Sequence, residues 1–135
     1  METFPINWWA VIVAAIVKFV IGAAWYAPQL FGKQWQAEIG MTQEQVRANL
    51  APSLVAEIVT DLVMAFILLH AVHYAGATTL VLGAVVGFLS WLGFIATVSI
   101  AQVFYEKKSW RLWSINNGYL VISLIVMGAI LAVWP

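Results

Sequence analysis

A lysine and two acids stand inside long apolar stretches of the chain. Lys18 lies in the middle of the apolar run 8–27, and Glu57 and Asp61 lie inside the next run, 53–74. A charged side chain at the centre of a membrane helix costs about 2.5 to 3.5 kcal/mol, so ionisable groups there usually pair with each other or line an ion pathway. These residues therefore point either to a static ion pair or to a site for a proton, a cation or a small solute.

Counting along two helices places the charges at a similar depth. Lys18 is nine residues before Ala27 and Asp61 is eight after Ser53, which correspond to about 14 Å and about 12 Å of helix. Glu57 and Asp61 are four residues apart and so share one helix face. One lysine against two carboxylates leaves one negative charge, and burial favours a proton on one carboxyl. The sequence thus predicts that Lys18 pairs with both acids.

Polar residues of the last apolar stretch are predicted to join these charges. Asn116 and Asn117 lie about 8 Å from Arg111 along a helix, and Asn116, Tyr119 and Ser123 recur at helical spacing. Such residues hold membrane helices together through hydrogen bonds or line a pathway, and both interpretations stay open here. The predicted charge cluster consists of Lys18, Glu57, Asp61, Asn116 and Asn117.

Composition excludes a soluble globular protein. Hydrophobic residues make up 64% of the chain and charged residues 9%, which leaves too little polar surface to cover a globule. The composition therefore predicts an integral membrane protein whose surface faces the lipid bilayer. Its 135 residues suffice for one integral-membrane domain, 1–135, with about four spans of roughly 20 residues each. The predicted spans are 7–27, 53–74, 79–104 and 112–134.

The predicted fold is all-α, a bundle of four transmembrane helices with two distinctive connections. A short outer turn at Gly76 joins the second and third spans. The first loop should contain a cytoplasmic surface helix from Gln43 to Leu50, because Thr42 and Gln45 have the spacing of a capping box. This helix is either an interfacial spacer or a lid over a pathway.

Basic residues predict how the bundle lies in the membrane. If the spans alternate in direction, the first and third loops lie on one side and the second loop on the other. The second loop contains no Lys or Arg, whereas the first and third contain Lys33, Arg47, Lys107, Lys108 and Arg111. Cytoplasmic loops hold the excess of basic residues, so both termini are predicted to lie outside. The equal numbers of basic and acidic residues give no reason to expect a nucleic-acid partner.

Two histidines and a row of small residues form further patterns. His70 and His73 lie near the outer end of the second span, far in depth from Asp61. We interpret them as interfacial polar residues, with a metal or cofactor shared between subunits as the alternative.

Gly83, Gly87 and Ser90 form a helix-packing seam containing a GxxxG pattern, which serves contacts either inside a bundle or between subunits.

Two segments of the chain resemble a known family. The first is a WYxPxxFGxxW segment over residues 25–35, and the second is the glycine-containing last span with Asn117, Gly118, Tyr119, Gly128 and Trp134. Both resemble the bacterial membrane family catalogued as domain of unknown function 1761. The resemblance implies four membrane helices and no activity or functional residues. The predicted location is the bacterial inner membrane.

Two functions from different classes follow from these patterns. The first is a structural or accessory subunit of a membrane assembly, associated with itself or with another membrane protein. The second is a small homo-oligomeric transporter or channel that uses Lys18, Glu57 and Asp61. No phosphate loop, catalytic triad or zinc spacing occurs in the sequence, so we predict no catalytic residue, cofactor or metal site and no enzyme activity.

Overall fold

A computed structural model describes residues 4–134, and every regular element in that range is a helix. The helices are α1 (Trp8–Trp25), α2 (Gly32–Ile39), α3 (Gln43–Ala48), α4 (Leu50–Tyr74), α5 (Leu80–Trp91), a π-helical segment (Leu92–Ala96), α6 (Thr97–Glu106) and α7 (Trp110–Val133). Four helices are long and apolar enough to cross a membrane: α1, α4, the continuous helix from α5 to α6, and α7. The predicted all-α fold with four membrane-spanning helices is confirmed, and the chain has the features of a multi-pass membrane protein.

Side-chain caps stabilise the starts of α3 and α5, where the sequence predicts that helices begin. The Thr42 hydroxyl accepts from the Gln45 N–H, and the Gln45 side chain accepts from the Thr42 N–H, so the capping box is present at α3. After the short turn at Gly76, the Thr79 hydroxyl accepts from the Leu82 N–H at 3.1 Å and caps α5. These bonds satisfy backbone donors that have no partner within the helix.

The first loop contains two short helices where the sequence predicts one. The additional helix, α2, ends at Gly40, whose φ of 70° is the left-handed conformation that glycine adopts without strain. The predicted helix 43–50 ends at Ala48, and α4 begins at Leu50, ahead of the predicted start at residue 53. This early start is possible because Pro52 lies in the first turn of α4, where its missing N–H has no helical acceptor to lose.

Helix α1 runs antiparallel to both α4 and α7, so both basic loops lie at one end of the bundle. Near the middle of the bundle, Lys18 of α1 contacts α4 and α7. Towards the end of α1, the Trp25 indole N–H donates to the Ile115 carbonyl near the start of α7. The start of α1 lies beside the later part of α4, where Trp8 stacks on Phe66. We call the end that carries the first and third loops the basic end.

The seam of small residues is used inside this chain, between α5 and α7. A Cβ atom at Gly83 would overlap the Gly128 carbonyl, and one at Gly87 would overlap the Leu124 carbonyl. Ser90 is half-buried, with its hydroxyl bonded to its own helix. Because these glycines already hold two helices of one chain together, their pattern gives no argument for contact between subunits.

Candidate functional site

Lys18 is buried between α1, α4 and α7 and donates to three acceptors. Its Nζ lies 2.5 Å from Asp61 Oδ1, 3.0 Å from Glu57 Oε1 and 2.9 Å from the Tyr119 hydroxyl. An ammonium group has three N–H donors, so all of its hydrogen-bonding capacity is used. The structure thus brings together three residues of the predicted charge cluster and adds Tyr119. We call Lys18, Glu57, Asp61 and Tyr119 the Lys18 network.

Tyr119 connects the lysine with the more accessible acid. Its hydroxyl accepts from Lys18 and donates to Glu57 Oε1 at 2.7 Å. The Lys18 Nζ also lies 4.8 Å from the centroid of the Tyr119 ring. The sequence placed Tyr119 on one polar face with Asn116, but this spacing alone did not show that the hydroxyl reaches the ion pair.

Tyr119→Phe is expected to lower the free energy of unfolding by about 1.5 to 3 kcal/mol, the range for a hydrogen bond to a charged group. The variant keeps the ring but removes the hydroxyl that contacts both Lys18 and Glu57. Unfolding by sodium dodecyl sulfate in mixed micelles measures the change. Tyr105→Phe is the matched control, because it removes the same atom from a side chain that is 90% exposed. Equal losses in the two variants would contradict the role assigned to Tyr119.

The two acids of the network differ in exposure. The Asp61 side chain is 2% exposed and that of Glu57 is 38% exposed. Asp61 Oδ2 and Ser123 Oγ are buried and have no hydrogen-bond partner within residues 4–134. A pair that only joins helices needs one carboxylate for one lysine, and each further buried charge adds a desolvation cost. The second acid is therefore the feature that a purely structural role does not require.

Glu57 lines a cavity of about 720 Å³ at the basic end of the bundle. The walls come mainly from α1, α4 and α7, and the first loop contributes Trp35 of α2 and Val46 of α3. Among the lining residues that the structure describes, Glu57 alone carries a charge. The interpretation of α3 as a lid over a pathway requires that this helix contact the cavity, and it does so through Val46.

Asn116 belongs to the cavity wall. Its Oδ1 accepts from the Tyr26 hydroxyl at 2.7 Å, and both side chains line the cavity. The Tyr26 ring in turn lies 5.5 Å from the Tyr119 ring, measured between centroids. Asn116 therefore lies next to the Lys18 network, as predicted from its depth, and its hydrogen bond connects it to Tyr26, the residue that follows α1.

Asn117 faces a different helix, and its hydrogen bonds do not connect it to the Lys18 network. Its Oδ1 accepts from the Trp91 indole N–H at 3.0 Å, and its side-chain N–H donates to the Trp113 carbonyl. Successive residues of a helix differ by about 100° around the axis, so Asn117 cannot share the direction of Asn116. Counting residues along α7 predicts that both asparagines lie at the depth of the charges. Which of the two faces the charges depends on how α7 is rotated about its axis.

The π-helical segment explains how α5 and α6 both reach Asn117. Trp91 donates to Asn117 Oδ1 from one side of the segment, and the Ser99 hydroxyl lies 3.5 Å from the same atom on the other side. In a regular α-helix, residues eight apart differ by about 80° around the axis. The wider turn of the segment Leu92–Ala96 reduces this offset and brings both side chains to one face.

His70 and His73 lie far from the cavity and contact the start of the described chain. His70 Nδ1 lies 2.7 Å from the Phe66 carbonyl, and the Phe4 ring stacks on His73 with centroids 3.6 Å apart. In the described part of the chain, no three His, Cys, Asp or Glu side chains are grouped so that they could hold a metal ion. The interactions of both histidines are thus mainly aromatic.

Comparison with known proteins gives one family. A family model described as "Protein of unknown function (DUF1761)" matches residues 9–132. No curated protein and no solved structure matches the chain. The matched range contains the whole Lys18 network and every residue that lines the cavity.

Proposed function

The chain belongs to the DUF1761 family, whose description names no activity, and from the geometry of the site we propose that it is a small membrane transporter that binds a cation at Glu57. The observation that carries the proposal is the position of this acid, 38% exposed at the wall of a cavity of about 720 Å³. Lys18 balances one carboxylate, so the Lys18 network has one formal negative charge in excess when both acids are ionised. An ionisable residue facing a cavity inside a membrane bundle is most simply explained by a solute pathway.

The geometry favours a cation over an anion. Lys18 is 4% exposed, and its three donors are used by residues of its own chain. Glu57 accepts both of its hydrogen bonds through Oε1, and a carboxylate offers about four acceptor positions. Glu57 therefore has capacity to accept from a ligand, whereas Lys18 has no donor left for an anionic solute.

The proposal includes an orientation and an assembly. The basic end faces the cytoplasm of a bacterial inner membrane, and both termini lie outside, because basic loops are retained on the cytoplasmic side. Four helices are few for enclosing a complete pathway, so the transporter is proposed to act as a homo-oligomer. The α5–α7 seam is not its interface, since that seam packs within one chain. No catalysed reaction forms part of this function.

Glu57→Gln is expected to abolish cation movement while leaving the fold intact. The amide keeps an oxygen that accepts from Lys18 and Tyr119, but it removes the charge that attracts the solute. Currents are measured in proteoliposomes on a solid-supported membrane, with steps of protons, sodium, potassium and tetraethylammonium. The wild-type protein should give a current with at least one of these cations, and Glu57→Gln should give the current of empty liposomes.

The control for this experiment is Glu44→Gln, which removes an exposed acid from the first turn of α3. It should leave the current unchanged. A wild-type current equal to that of empty liposomes for every cation, or an unchanged current in Glu57→Gln, would refute the transporter proposal.

The second candidate function is a structural or accessory subunit of a membrane assembly. The observation that favours it is that Lys18 joins α1 to both α4 and α7, as a residue that orients helices would. This function predicts no current with any cation, and it predicts a second protein in the mass of the complex extracted gently with its lipids. A lone wild-type monomer in that measurement would count against it.

A further inference from the structure

We propose that the cavity at Glu57 takes an amphipathic organic cation, a positive charge attached to an aromatic or aliphatic body. This inference rests on the proposed cation site and names the class of its ligand. Four properties of the cavity support it: its single charge, its size, the chemistry of its walls and the place where it opens.

The size of the cavity suits an organic molecule. At about 720 Å³ it lies within the range of about 300 to 1,000 Å³ that small-molecule pockets occupy. A metal ion such as calcium needs about six to eight oxygen ligands, and magnesium needs a regular set of six. The cavity supplies one carboxylate, and the Asn116 Oδ1 is already bonded to Tyr26. The other side-chain oxygens of the cavity are neutral and belong to Asn49, Ser53 and two tyrosines. This set replaces the hydration shell of a metal ion poorly.

The walls are rich in aromatic rings. Phe19, Tyr26, Trp35 and Tyr119 all line the cavity, and the Tyr26 and Trp35 rings meet edge to face with centroids 5.6 Å apart. Aromatic faces attract cations, most strongly where water is excluded, and are the usual partners of quaternary ammonium groups. The remaining wall is mostly aliphatic or thioether, with Met41, Val46, Leu50 and Leu54.

The cavity also reaches the outer surface of the bundle. Leu50 and Leu54 line it and are at the same time 49% and 40% exposed. Both are apolar residues in the first two turns of α4, at the basic end. An amphipathic ligand that partitions into the interface of the bilayer can therefore approach with its apolar part along these leucines and its charge towards Glu57.

Tetraphenylphosphonium and tetraphenylborate provide a direct test, because they carry similar four-phenyl bodies with opposite charges. Isothermal titration calorimetry of the protein in lipid nanodiscs, with empty nanodiscs subtracted, measures saturable binding of each. We expect tetraphenylphosphonium to bind and tetraphenylborate not to bind. Glu57→Gln should weaken the cation about tenfold or more, and Trp35→Leu should weaken it by a smaller factor. Glu44→Gln should bind like the wild-type protein.

The results separate this inference from the proposed function. Sodium, potassium or proton currents that depend on Glu57, without saturable tetraphenylphosphonium binding, would overturn the organic cation and leave the transporter standing. Saturable binding that depends on Glu57, without any current, would support the ligand class and refute transport. Equal binding of both probes, or binding unchanged in Glu57→Gln, would show that the body of the ligand and not its charge is recognised, and would overturn the inference.

Discussion

Lys18→Met is expected to lower the free energy of unfolding by about 3 to 5 kcal/mol, the cost of removing one partner from a buried ion pair. Lys18 is 4% exposed and contacts both acids of the network, so its loss leaves Asp61 and Glu57 without a neutralising charge. Asp61 is the more affected acid, because its side chain is 2% exposed and cannot recover contact with water. Unfolding by sodium dodecyl sulfate in mixed micelles, followed by tryptophan fluorescence, measures the loss.

A second substitution should restore most of this stability. Lys18→Met combined with Asp61→Leu removes the buried pair as a unit and leaves apolar side chains between α1 and α4, an exchange that is often neutral in proteins. The double variant should therefore be more stable than Lys18→Met alone. If the double variant loses the sum of the two single losses, Lys18 and Asp61 are not energetically coupled, and the pairing would be contradicted.

Lys108→Met is the matched control for the lysine. Lys108 pairs with Glu106 at 2.9 Å, but the two side chains are 53% and 50% exposed. Water screens such a pair, so its loss should change stability by less than about 1 kcal/mol. Both variants replace a paired lysine with methionine, so the difference between their losses of stability measures the effect of burial.

Gly87→Ala is expected to lower the free energy of unfolding by about 1 to 3 kcal/mol, the usual cost of inserting atoms into a packed interior. The added Cβ would overlap the Leu124 carbonyl oxygen, which belongs to the backbone of α7 and cannot move aside as a side-chain tip can. The helices α5 and α7 must therefore separate. Because α7 carries Tyr119 and Asn116, the same shift should disturb the cavity and weaken any ligand bound there.

The control for this prediction is Gly93→Ala, in the same membrane-spanning helix. Apart from the nearby backbone of its own helix, a Cβ atom at Gly93 meets no atom within 4 Å, and the residue lies on the exposed side of the π-helical segment. Its unfolding in the same micelles should match that of the wild-type protein. A loss at Gly93 equal to that at Gly87 would mean that glycine is needed for backbone conformation and not for close packing.

The Lys18 network has a closed side and an accessible side, and this asymmetry connects its structure with the proposed function. Lys18 and Asp61 are buried and can hold α1 and α4 together, whereas Glu57 lines the cavity. Tyr119 bridges the two sides through one hydroxyl. A ligand that binds Glu57 therefore shares this carboxylate with contacts that also join the helices, which gives binding a route to change how α1, α4 and α7 pack.

Distances along the helix axis were open to prediction from the sequence. Apolar runs longer than the bilayer core define the spans, and counting residues from their ends placed Lys18 level with Asp61. The spacing of Glu57 and Asp61 put both acids on one face, and the structure shows both of them bonded to Lys18. These inferences need only the rise per residue and the period of a helix.

Rotations and distances between helices were decided only by the tertiary structure. How each helix is rotated about its axis determines that Asn117 faces Trp91 and that the Tyr119 hydroxyl reaches Lys18. The same holds for the effect of the π-helical segment and for the packing of Gly87 against α7. The cavity depends on three spans and two loop helices at once. The physical reason is that helix period and rise are properties of the local backbone, whereas rotation and closeness are set by how side chains of different helices pack together.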